Sequence, residues 1–367
     1  MSSLLKDRYS IAFYDAFILA ANKAQLSIDK ELFYSRLIDH SWEELSLKQR
    51  MRKTTQVLHT FLSSDVVESL NAICVLVEGL KQEMETEYSL EYLFLADYVS
   101  LYAINHLKEA IRAMEVITTF TSCEFAIRPF FVAYPARMLQ QVNSWAEHTN
   151  HHVRRLASEG SRPRLPWGEV LPDFVQNPEP LIPLLTKLKQ DSSEYVRRSV
   201  ANNLNDISKS HPAMVIEAVK AWKGISKETD ALIKHGVRTL LKAGNKEVLS
   251  LLGVSENSSL KINAFRVVDT VVQQGEYLSF EFGLTNHSEE SVLIRLEYRV
   301  YFKRLNKEEG SKVFKITEKT MQPNQQIEIL KKHSFKPITT RKYYPGLHGV
   351  AVIINGKESE RINFELV

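Results

Sequence analysis

The run Val153-Arg154-Arg155-Leu156-Ala157 recurs along the first two thirds of this chain. It returns as Val196-Arg197-Arg198-Ser199-Val200-Ala201 and as Val237-Arg238-Thr239-Leu240-Leu241, at spacings of 43 and 41 residues, and Ile111-Arg112-Ala113 precedes it by 42 residues. A period of about 40 residues is typical of HEAT-type repeats, in which two antiparallel helices form each unit. The sequence therefore predicts a helical solenoid. We expect each valine to pack inward, while each arginine either braces neighbouring repeats or reaches the concave face.

The hydrophobic period of the 367-residue chain changes near residue 257. Residues 1–257 carry apolar side chains every three or four positions, which predicts helices, whereas residues 258–367 contain short alternating runs such as Leu293 to Phe302. About seven strands in ~110 residues fit an immunoglobulin-like sandwich. The predicted strands are 265–272, 277–285, 291–302, 311–317, 326–334, 349–354 and 361–367. The predicted fold class is thus an α-helical HEAT-like repeat solenoid (1–257) followed by an immunoglobulin-like β-sandwich (258–367).

Composition excludes several classes of protein. The two cysteines, Cys74 and Cys123, are too few for a disulfide scaffold or a four-cysteine zinc site. The sequence has neither an apolar run of the ~18–20 residues that a membrane span needs nor the pattern of a signal peptide. We therefore expect a cytoplasmic, metal-independent monomer without a cofactor. The net charge of +3 divides into −5 for residues 1–110, +4 for 111–257 and +4 for 258–367. A basic concave face would suit a phosphate backbone, although a solvated face would explain the same excess.

The segment from Trp145 to Trp167 is the most informative cluster of side chains. It holds four arginines, three histidines, two tryptophans and only two carboxylates. Pro163 and Pro166 predict a stiff, extended loop that presents Trp167, and such loops suit nucleic acid, with arginine for phosphates and an aromatic face for a base or sugar. Glu159 among these arginines is either a salt-bridge partner or a carboxylate used chemically. Adjacent histidines are poor zinc ligands, so we predict no metal site here.

These residues resemble a known family. The run His152-Val153-Arg154-Arg155-Leu156-Ala157-Ser158-Glu159-Gly160, followed by Arg162-Pro163-Arg164-Leu165-Pro166-Trp167, is similar to the signature of the AlkC-type DNA alkylation-repair glycosylases, HEAT-like-repeat proteins related to the AlkD type. The resemblance extends through most of residues 1–250, including 123–130 and 197–206. An appended immunoglobulin-like domain matches one branch of that family.

The resemblance implies a monofunctional glycosylase of base excision repair. Such enzymes hydrolyse the N-glycosidic bond of cationic alkylated bases, notably 3-methyladenine and 3-methylcytosine, in double-stranded DNA and without rotating the base fully into a pocket. The resemblance implies that Glu159 is the main catalytic carboxylate, that Glu124 and Asp206 accompany it, and that Trp167 packs against the sugar. The candidate phosphate ligands are Arg154, Arg155, Arg162, Arg164, Arg197, Arg198 and Arg238. We expect some of these arginines to brace the repeats instead. The structural alternatives to catalysis are an interhelical salt bridge for Glu124 and a helix C-terminal or capping role for Asp206.

Two other classes of protein stay open at this point. A non-enzymatic HEAT-repeat scaffold would also carry a charged concave face, and a DNA-structure-binding protein would share the fold without catalysis. The sandwich either extends the DNA contact through basic loops or carries ordinary solvated hairpin ends. The basic segments are Lys303-Arg304-Leu305-Asn306-Lys307, Lys331-Lys332-His333 and Arg341-Lys342-Tyr343-Tyr344.

Overall fold

The computed structural model of the chain describes residues 5–83, 89–305, 309–338 and 341–367. Contacts divide the chain into a first unit that ends at Gly236 and a second unit that begins at Val237. A helical part followed by a β-rich part confirms the predicted fold class. The division by contacts lies earlier than the boundary predicted between residues 257 and 258, because two short helices group with the strands. The domain boundary at 257 stays a prediction.

The first unit is helical. Three short 3-10 helices cover Leu5–Arg8, Trp42–Glu44 and Leu90–Tyr92. The α-helices are α1 (Ile11–Lys23), α2 (Lys30–Leu37), α3 (Leu47–His59), α4 (Val66–Glu83), α5 (Leu93–Tyr102), α6 (Leu107–Ile117), α7 (Arg128–Ala133), α8 (Pro135–Trp145), α9 (His151–Gly160), α10 (Pro172–Gln176), α11 (Leu181–Leu188), α12 (Glu194–Ile207), α13 (Pro212–Trp222) and α14 (Lys227–Gly236).

Helix pairs stack in two layers around the centre of this unit. Helices α9, α12 and α14 lie side by side, and each packs against a helix of a second layer, namely α8, α11 and α13 respectively. Val153 and Val196 each occupy the third position of their helix and are fully buried, as predicted for the inward residue of each repeat. The 43-residue spacing between these two valines therefore measures one structural repeat.

The remaining matches to the repeat are not equivalent to the first two. Helix α14 begins at Lys227 and ends at Gly236, so Val237 and Arg238 lie beyond it, at the start of a separate short helix. Ile111 is the fifth residue of α6, which packs against α4 and α5. The short pattern matched these positions because valine or isoleucine next to arginine is a common pair on any amphipathic helix.

The second unit contains two helices and nine strands among its described residues. These are α15 (Arg238–Lys242), α16 (Lys246–Leu251), β1 (Leu260–Val267), β2 (Val271–Val272), β3 (Tyr277–Asn286), β4 (Val292–Phe302), β5 (Gly310–Met321), β6 (Gln326–Ser334), β7 (Gly346–Ile354), β8 (Lys357–Glu358) and β9 (Ile362–Leu366). One sheet has the order β1-β3-β6, and the other has the order β2-β9-β7-β4-β5 with β8 on β7.

Alternating apolar residues fill the space between the two sheets. Phe280 and Phe282 of β3 are buried with Leu296, Tyr298 and Val300 of β4 in one hydrophobic core. Because successive side chains of a strand point to opposite faces, this spacing of two residues places all five on the inner faces. The sandwich thus follows directly from the alternation seen in the sequence.

The strand predicted over 265–272 is wrong as a single element. The chain instead forms β1, which pairs with β3 in one sheet, and then β2, which pairs in parallel with β9 in the other sheet. A register shift between Asn263 and Arg266, with Ala264 at a φ of 52°, interrupts the alternation inside β1. A bulge moves the following side chains out of phase, so the sequence pattern does not mark where this strand begins.

One of the basic segments of the sandwich is not a loop. Lys331, Lys332 and His333 lie within β6, an edge strand of the three-stranded sheet, and His333 is buried against Tyr298. Lysines on an edge strand hinder pairing with another chain, which explains them without a DNA contact. Asn306 and Lys307 of the first basic segment lie outside the described residues. Across the described residues no helix is long and apolar enough to span a membrane.

Candidate active site

Helix α9 presents Arg155 and Glu159 together. The Asn150 side chain caps the helix by accepting a hydrogen bond from the backbone N–H of His152 at 2.8 Å. Burial of Val153 and Leu156 fixes the rotation of the helix, and residues four apart lie on one face. Arg155 and Glu159 therefore project from the same side, and the carboxylate lies in the last turn with only 5% of the residue exposed.

Glu159 is held by three side chains. Its Oε1 accepts a hydrogen bond from Arg162 Nη1 at 2.6 Å and lies 3.6 Å from Arg155 Nη2. Its Oε2 accepts a hydrogen bond from Ser199 Oγ at 2.6 Å, across from α12. A buried carboxylate needs such partners to remain charged. The arrangement can keep an oriented negative charge in a place that water scarcely reaches.

Arg155 joins Glu159 to Glu124. The Arg155 guanidinium forms an ion pair with Glu124 and donates to Ser122 Oγ at 2.7 Å, while Ser122 donates to Glu124 Oε2 at 2.9 Å. The ring of Tyr195 lies over this guanidinium, 4.9 Å from its central carbon. Burial lowers the pKa of Arg155, but the charges of Glu124 and Glu159 outweigh burial and raise the pKa above its usual value. Arg155 is thus a permanent cation between two carboxylates.

Arg162 joins Glu159 to Asp206. Its Nε donates to Asp206 Oδ2 at 2.8 Å, and Lys209 Nζ lies 2.8 Å from the other carboxylate oxygen. Burial lowers the pKa of Arg162, but Glu159 and Asp206 together raise it above the ordinary arginine value. The Asp206 side chain is 1% exposed, against 7% for Glu159 and 15% for Glu124. Of the three carboxylates, Glu124 and Glu159 are therefore the more accessible to a ligand.

The contacts described above form one alternating series of charges, which we call the ion-pair row. Its members, in spatial order, are Glu124, Arg155, Glu159, Arg162, Asp206 and Lys209. The structure thus brings together the three carboxylates that the resemblance to the AlkC type implied, and it places two of the predicted arginines between them. It leaves their catalytic roles as predictions.

Trp167, five residues after Arg162, is exposed and has an unusual backbone conformation. The residue is 61% exposed. Its φ of 64° lies in the left-handed region, a conformation that is energetically unfavourable for a bulky residue. The loop is not extended as predicted. Two backbone hydrogen bonds of 3.1 Å fold it into turns, from Gly168 N to Leu165 O and from Leu171 N to Pro163 O.

Two of the predicted phosphate ligands, Arg154 and Arg197, bind other parts of the helical unit. Arg154 donates through Nε and Nη2 to Asp191 at 2.6 and 2.8 Å, and through Nη1 to the carbonyls of His148 and Thr149. Arg197, one repeat later, donates to the carbonyls of Asp191 and Ser192. Both arginines bind carbonyls five and six residues before themselves, but only Arg154 also joins neighbouring repeats, through the Asp191 carboxylate.

The other predicted arginines differ in their accessibility. Arg198 is exposed and makes no hydrogen bond or ion pair with another described residue. Arg164 is half-buried and donates to Ser210 Oγ at 3.2 Å. Arg238 is half-buried and belongs to the second unit, in α15. Arg198 is therefore the predicted ligand that is most open to a phosphate.

Four residues at or near the site escaped the sequence analysis. Ser199 bonds Glu159, Tyr195 lies over Arg155, Lys48 Nζ donates to the Trp167 carbonyl at 2.6 Å, and Arg128 is buried under the Trp167 loop. The repeat could have indicated Ser199, because it follows Glu159 by 40 residues, close to one period. Lys48 precedes Trp167 by 119 residues and gave no signal.

Two family models match the chain, one for each part. A model described as "DNA alkylation repair enzyme" matches residues 37–257, and one described as the C-terminal Ig-like domain of YhaZ matches residues 261–367. The chain is 39% identical over 362 residues to an uncharacterised protein, YhaZ, of Bacillus subtilis, and covers 99% of both.

Among solved structures, the chain is similar to the alkylpurine DNA glycosylase AlkC of Pseudomonas fluorescens bound to DNA that contains an abasic-site analogue. The TM-score is 0.92, with 32% identity and complete coverage of both chains. The similarity spans the helical part that carries the ion-pair row as well as the sandwich, so it is not limited to a shared repeat. Because the family model matches more than half of the chain and the likeness to AlkC extends over its whole length, this chain belongs to the DNA alkylation repair enzyme family, and within that family it is of the AlkC type.

Proposed function

We propose that the chain is a DNA glycosylase that hydrolyses the N-glycosidic bond of cationic alkylated bases, 3-methyladenine and 3-methylcytosine, in double-stranded DNA. The observation that carries the proposal is the buried Glu159 carboxylate, held by Arg162 and Ser199. The similarity to a solved alkylpurine DNA glycosylase supports it. The chain would act in the cytoplasm, as a monomer, on the DNA of the nucleoid.

The chemistry suits a site built from carboxylates. Alkylation at N3 makes the base cationic, so the base keeps the electron pair of the broken C1′–N bond and leaves as a neutral molecule. The sugar that remains resembles an oxocarbenium ion, which a fixed negative charge stabilises. A water then bonds to C1′, and its proton passes to Glu159 or to solvent. The products are the free base and an abasic site, and no cofactor takes part.

The carboxylates have different roles in this proposal. Glu159 and Glu124, the two with more exposed side chains, stabilise the developing positive charge and position the water. Asp206 has both oxygens in ion pairs and a side chain that is 1% exposed, so it acts through Arg162 rather than on the substrate. The fixed arginines keep the carboxylates oriented before the substrate binds, which lowers the reorganisation that the reaction requires.

Trp167 would contact the damaged nucleotide at the surface. Its indole is exposed and can pack against the deoxyribose, where an aromatic face attracts a positive charge. Selection by the charge of the leaving group needs no deep pocket for the base edge, and this supports excision without full rotation of the base out of the helix. The strained backbone of Trp167 also favours a functional role, because strain persists where function requires it.

Base release from methylated duplex DNA tests the proposal. Wild type should release 3-methyladenine and 3-methylcytosine, and Glu159→Gln should be slower by on the order of 100-fold or more, because it loses a fixed charge worth several kcal/mol to the transition state. Glu147→Gln is the control, since this carboxylate has a 69% exposed side chain that pairs only with Lys187 among the described residues. No release by wild type would favour a scaffold or a DNA-structure-binding protein. Equal release by wild type and Glu159→Gln would remove Glu159 from the mechanism.

The absence of lyase activity is a separate part of the proposal. Two lysines lie at or near the site: Lys209 Nζ is bound to Asp206, and Lys48 Nζ donates to the Trp167 carbonyl. We therefore expect no Schiff base with the sugar. Treatment of the reaction with borohydride should leave protein and DNA unlinked, and a trapped covalent adduct would show a bifunctional enzyme.

The sandwich would provide a second contact with DNA. Arg304 and Lys342 are exposed near the ends of strands and remain candidates after Lys331 to His333 are assigned to an edge strand. The double variant Arg304→Ala, Lys342→Ala should weaken the dependence of DNA affinity on salt. Up to two phosphate contacts are lost, and each should lower the slope of log K against log salt concentration by about 0.9. Lys261→Ala, an exposed lysine of β1, is the control. An unchanged slope in the double variant would leave these residues as solvated hairpin ends.

A further inference from the structure

Arg128 clamps both ends of the loop that carries Trp167. Its Nη1 donates to the carbonyl of Gly160 at 3.1 Å and to that of Arg162 at 3.0 Å, while its Nε donates to the carbonyl of Glu169. One guanidinium therefore joins the end of α9 to the chain just after Trp167. Five rigid N–H donors allow arginine to bridge several acceptors at once, which no other side chain can do in the same way.

The environment of Arg128 is costly for a cation. Only 1% of the residue is exposed, its Nη2 has no hydrogen-bond partner, and it makes no ion pair with another described residue. Burial, together with the positive charge of Arg162, lowers the pKa of Arg128 to about 10. A buried charge without a carboxylate partner is poor at stabilising a fold. The attraction of Glu169, Asp206 and Glu124 offsets this cost only in part, since the pKa remains below the usual arginine value.

The loop lies directly against Ile127 and Arg128, with two glycines at the points of contact. A Cβ on Gly160 would be 2.6 Å from Ile127 Cγ2, and a Cβ on Gly168 would be 3.2 Å from Arg128 Cδ and 3.0 Å from Leu165 Cδ2. Gly168 directly follows Trp167. The backbone on both sides of Trp167 is thus positioned by close packing as well as by the guanidinium.

We infer that Arg128 is a positioning residue of the active site, which sets the location of the Trp167 indole and, through the Arg162 backbone, the arginine that binds Glu159. The inference rests on the proposed glycosylase function for its kinetic part only. Arg128 does not touch the substrate in this role. It acts through the loop, so its removal should affect catalysis only as far as the loop is displaced.

A matched control exists in the same unit. Arg50 is also a buried arginine, 3% exposed, with a buried Nε that has no hydrogen-bond partner. It binds the carbonyl of Lys6 and the carboxylate of Glu43, and it packs on Trp42. Arg50→Met therefore removes a buried guanidinium that, unlike Arg128, has a carboxylate partner and binds no atom of the Trp167 loop among the described residues.

The first experiment observes the tryptophans without any activity assay. The chain has four tryptophans, which 5-fluorotryptophan labelling and ¹⁹F NMR resolve, with the Trp167 signal assigned by Trp167→Phe. Arg128→Met should shift or broaden the Trp167 signal. Arg50→Met should instead move the Trp42 signal and leave that of Trp167 in place. An unchanged Trp167 signal in Arg128→Met would overturn the inference.

The second experiment is a double-mutant cycle of base release. We expect Arg128→Met to lose on the order of 100-fold in kcat/KM, as misplacement of a contact group by about 1 Å can cost. In a protein that already carries Trp167→Ala, Arg128→Met should lower kcat/KM by less than about a further 5-fold, because the effects of residues that act as one unit are not additive. Losses that multiply in full would overturn the inference. Arg50→Met should give the same fold-change with and without Trp167.

Two further variants test the inference if Arg128→Met does not fold. Arg128→Lys keeps the charge but has a single nitrogen, which cannot reach three carbonyls, so it should restore only part of the activity. Gly168→Ala disturbs the same contact from the loop and should displace the Trp167 signal with Arg128 intact. Wild-type protein that releases no base would contradict the proposed function, while the NMR comparison would still decide the role of Arg128.

Discussion

Ser199 Oγ donates a 2.6 Å hydrogen bond to Glu159 Oε2, and this contact fixes the carboxylate of one helix to the next helix of the array. The two residues are 40 positions apart, yet both are almost completely buried. The hydroxyl therefore orients the carboxylate oxygen that the two arginines leave free. Orientation of a charged group in this way is worth more than an ordinary hydrogen bond.

Loss of the Ser199 hydroxyl should lower activity. A hydrogen bond to a charged group is worth about 1.5–3 kcal/mol, so we expect Ser199→Ala to slow base release by roughly 10-fold to 100-fold. Ser208→Ala is the control, because its buried hydroxyl binds only the carbonyl of Asn205 among the described residues. Single-turnover rates of both variants check the prediction. Equal rates for Ser199→Ala and wild type would show that Ser199 does not orient the reacting oxygen.

Removal of the Asp206 charge should destabilise the helical unit. Asp206→Asn leaves Arg162 and Lys209 without their shared carboxylate, and the breaking of a buried ion pair costs about 3–5 kcal/mol. Asp230→Asn should cost less than about 1 kcal/mol, since that carboxylate is one-third exposed and 3.7 Å from Lys223. Urea unfolding of both variants measures the difference. Similar midpoints for the two would contradict the assigned importance of the buried pair.

Replacement of Trp167 by glycine should cost activity but relieve backbone strain. A residue other than glycine pays about 1–2 kcal/mol in the left-handed region, so Trp167→Gly should be more stable than Trp167→Ala by about 1 kcal/mol. Both variants lack the indole and should show the same loss of base release. Chemical denaturation compares their stabilities. A glycine variant that is no more stable than the alanine variant would show that the turn carries no strain.

His333 should make the sandwich sensitive to acid. Burial, with smaller contributions from Arg341, Lys312 and Lys331, lowers the pKa of His333 from 6.5 to about 4. The unfolded chain then binds a proton that the folded chain does not, so stability is complete above pH 6.5 and falls as the pH drops from 6.5 to 4. The loss amounts to roughly 3 kcal/mol.

Unfolding of the full chain at pH 7 and pH 5 tests this. His333→Phe should flatten the decline between the two values, and His287→Gln, at an exposed histidine, should leave it unchanged. A decline as steep in His333→Phe as in wild type would assign the acid sensitivity to other groups.

The resemblance to the AlkC type implied the three carboxylates, and helical and repeat spacing explain part of how the structure brings them together. Arg155 and Glu159 are four residues apart in α9, so their proximity follows from helix geometry. Arg162 lies two residues beyond the end of α9, where a turn closed by a hydrogen bond from its N–H to the Glu159 carbonyl places it beside that carboxylate. Asp206 follows Arg162 by 44 residues, close to one repeat, and this explains why stacked helices bring them together. The alternation of β3 and β4 likewise predicted the core of the sandwich.

Contacts with the backbone could not be predicted in the same way. Arg128 and Lys48 bind carbonyls of the Trp167 loop, and a carbonyl is present in every residue, so no pattern of side chains marks the partner. The left-handed φ of Trp167 was also hidden, because glycine or asparagine is the usual sign of that conformation. The bulge in β1 could not be predicted either, because it is a property of the backbone that no side chain marks.

The ion-pair row also determines when the site is completed during synthesis. Its first carboxylate, Glu124, and its last cation, Lys209, are 85 residues apart, and Ser199 of α12 binds the central carboxylate. A nascent chain that has emerged only as far as α9 therefore carries Arg155 and Glu159 without Ser199, Asp206 or Lys209. Base release should first become measurable in chains that extend past α12, so catalytic competence reports on how far the array has assembled on the ribosome.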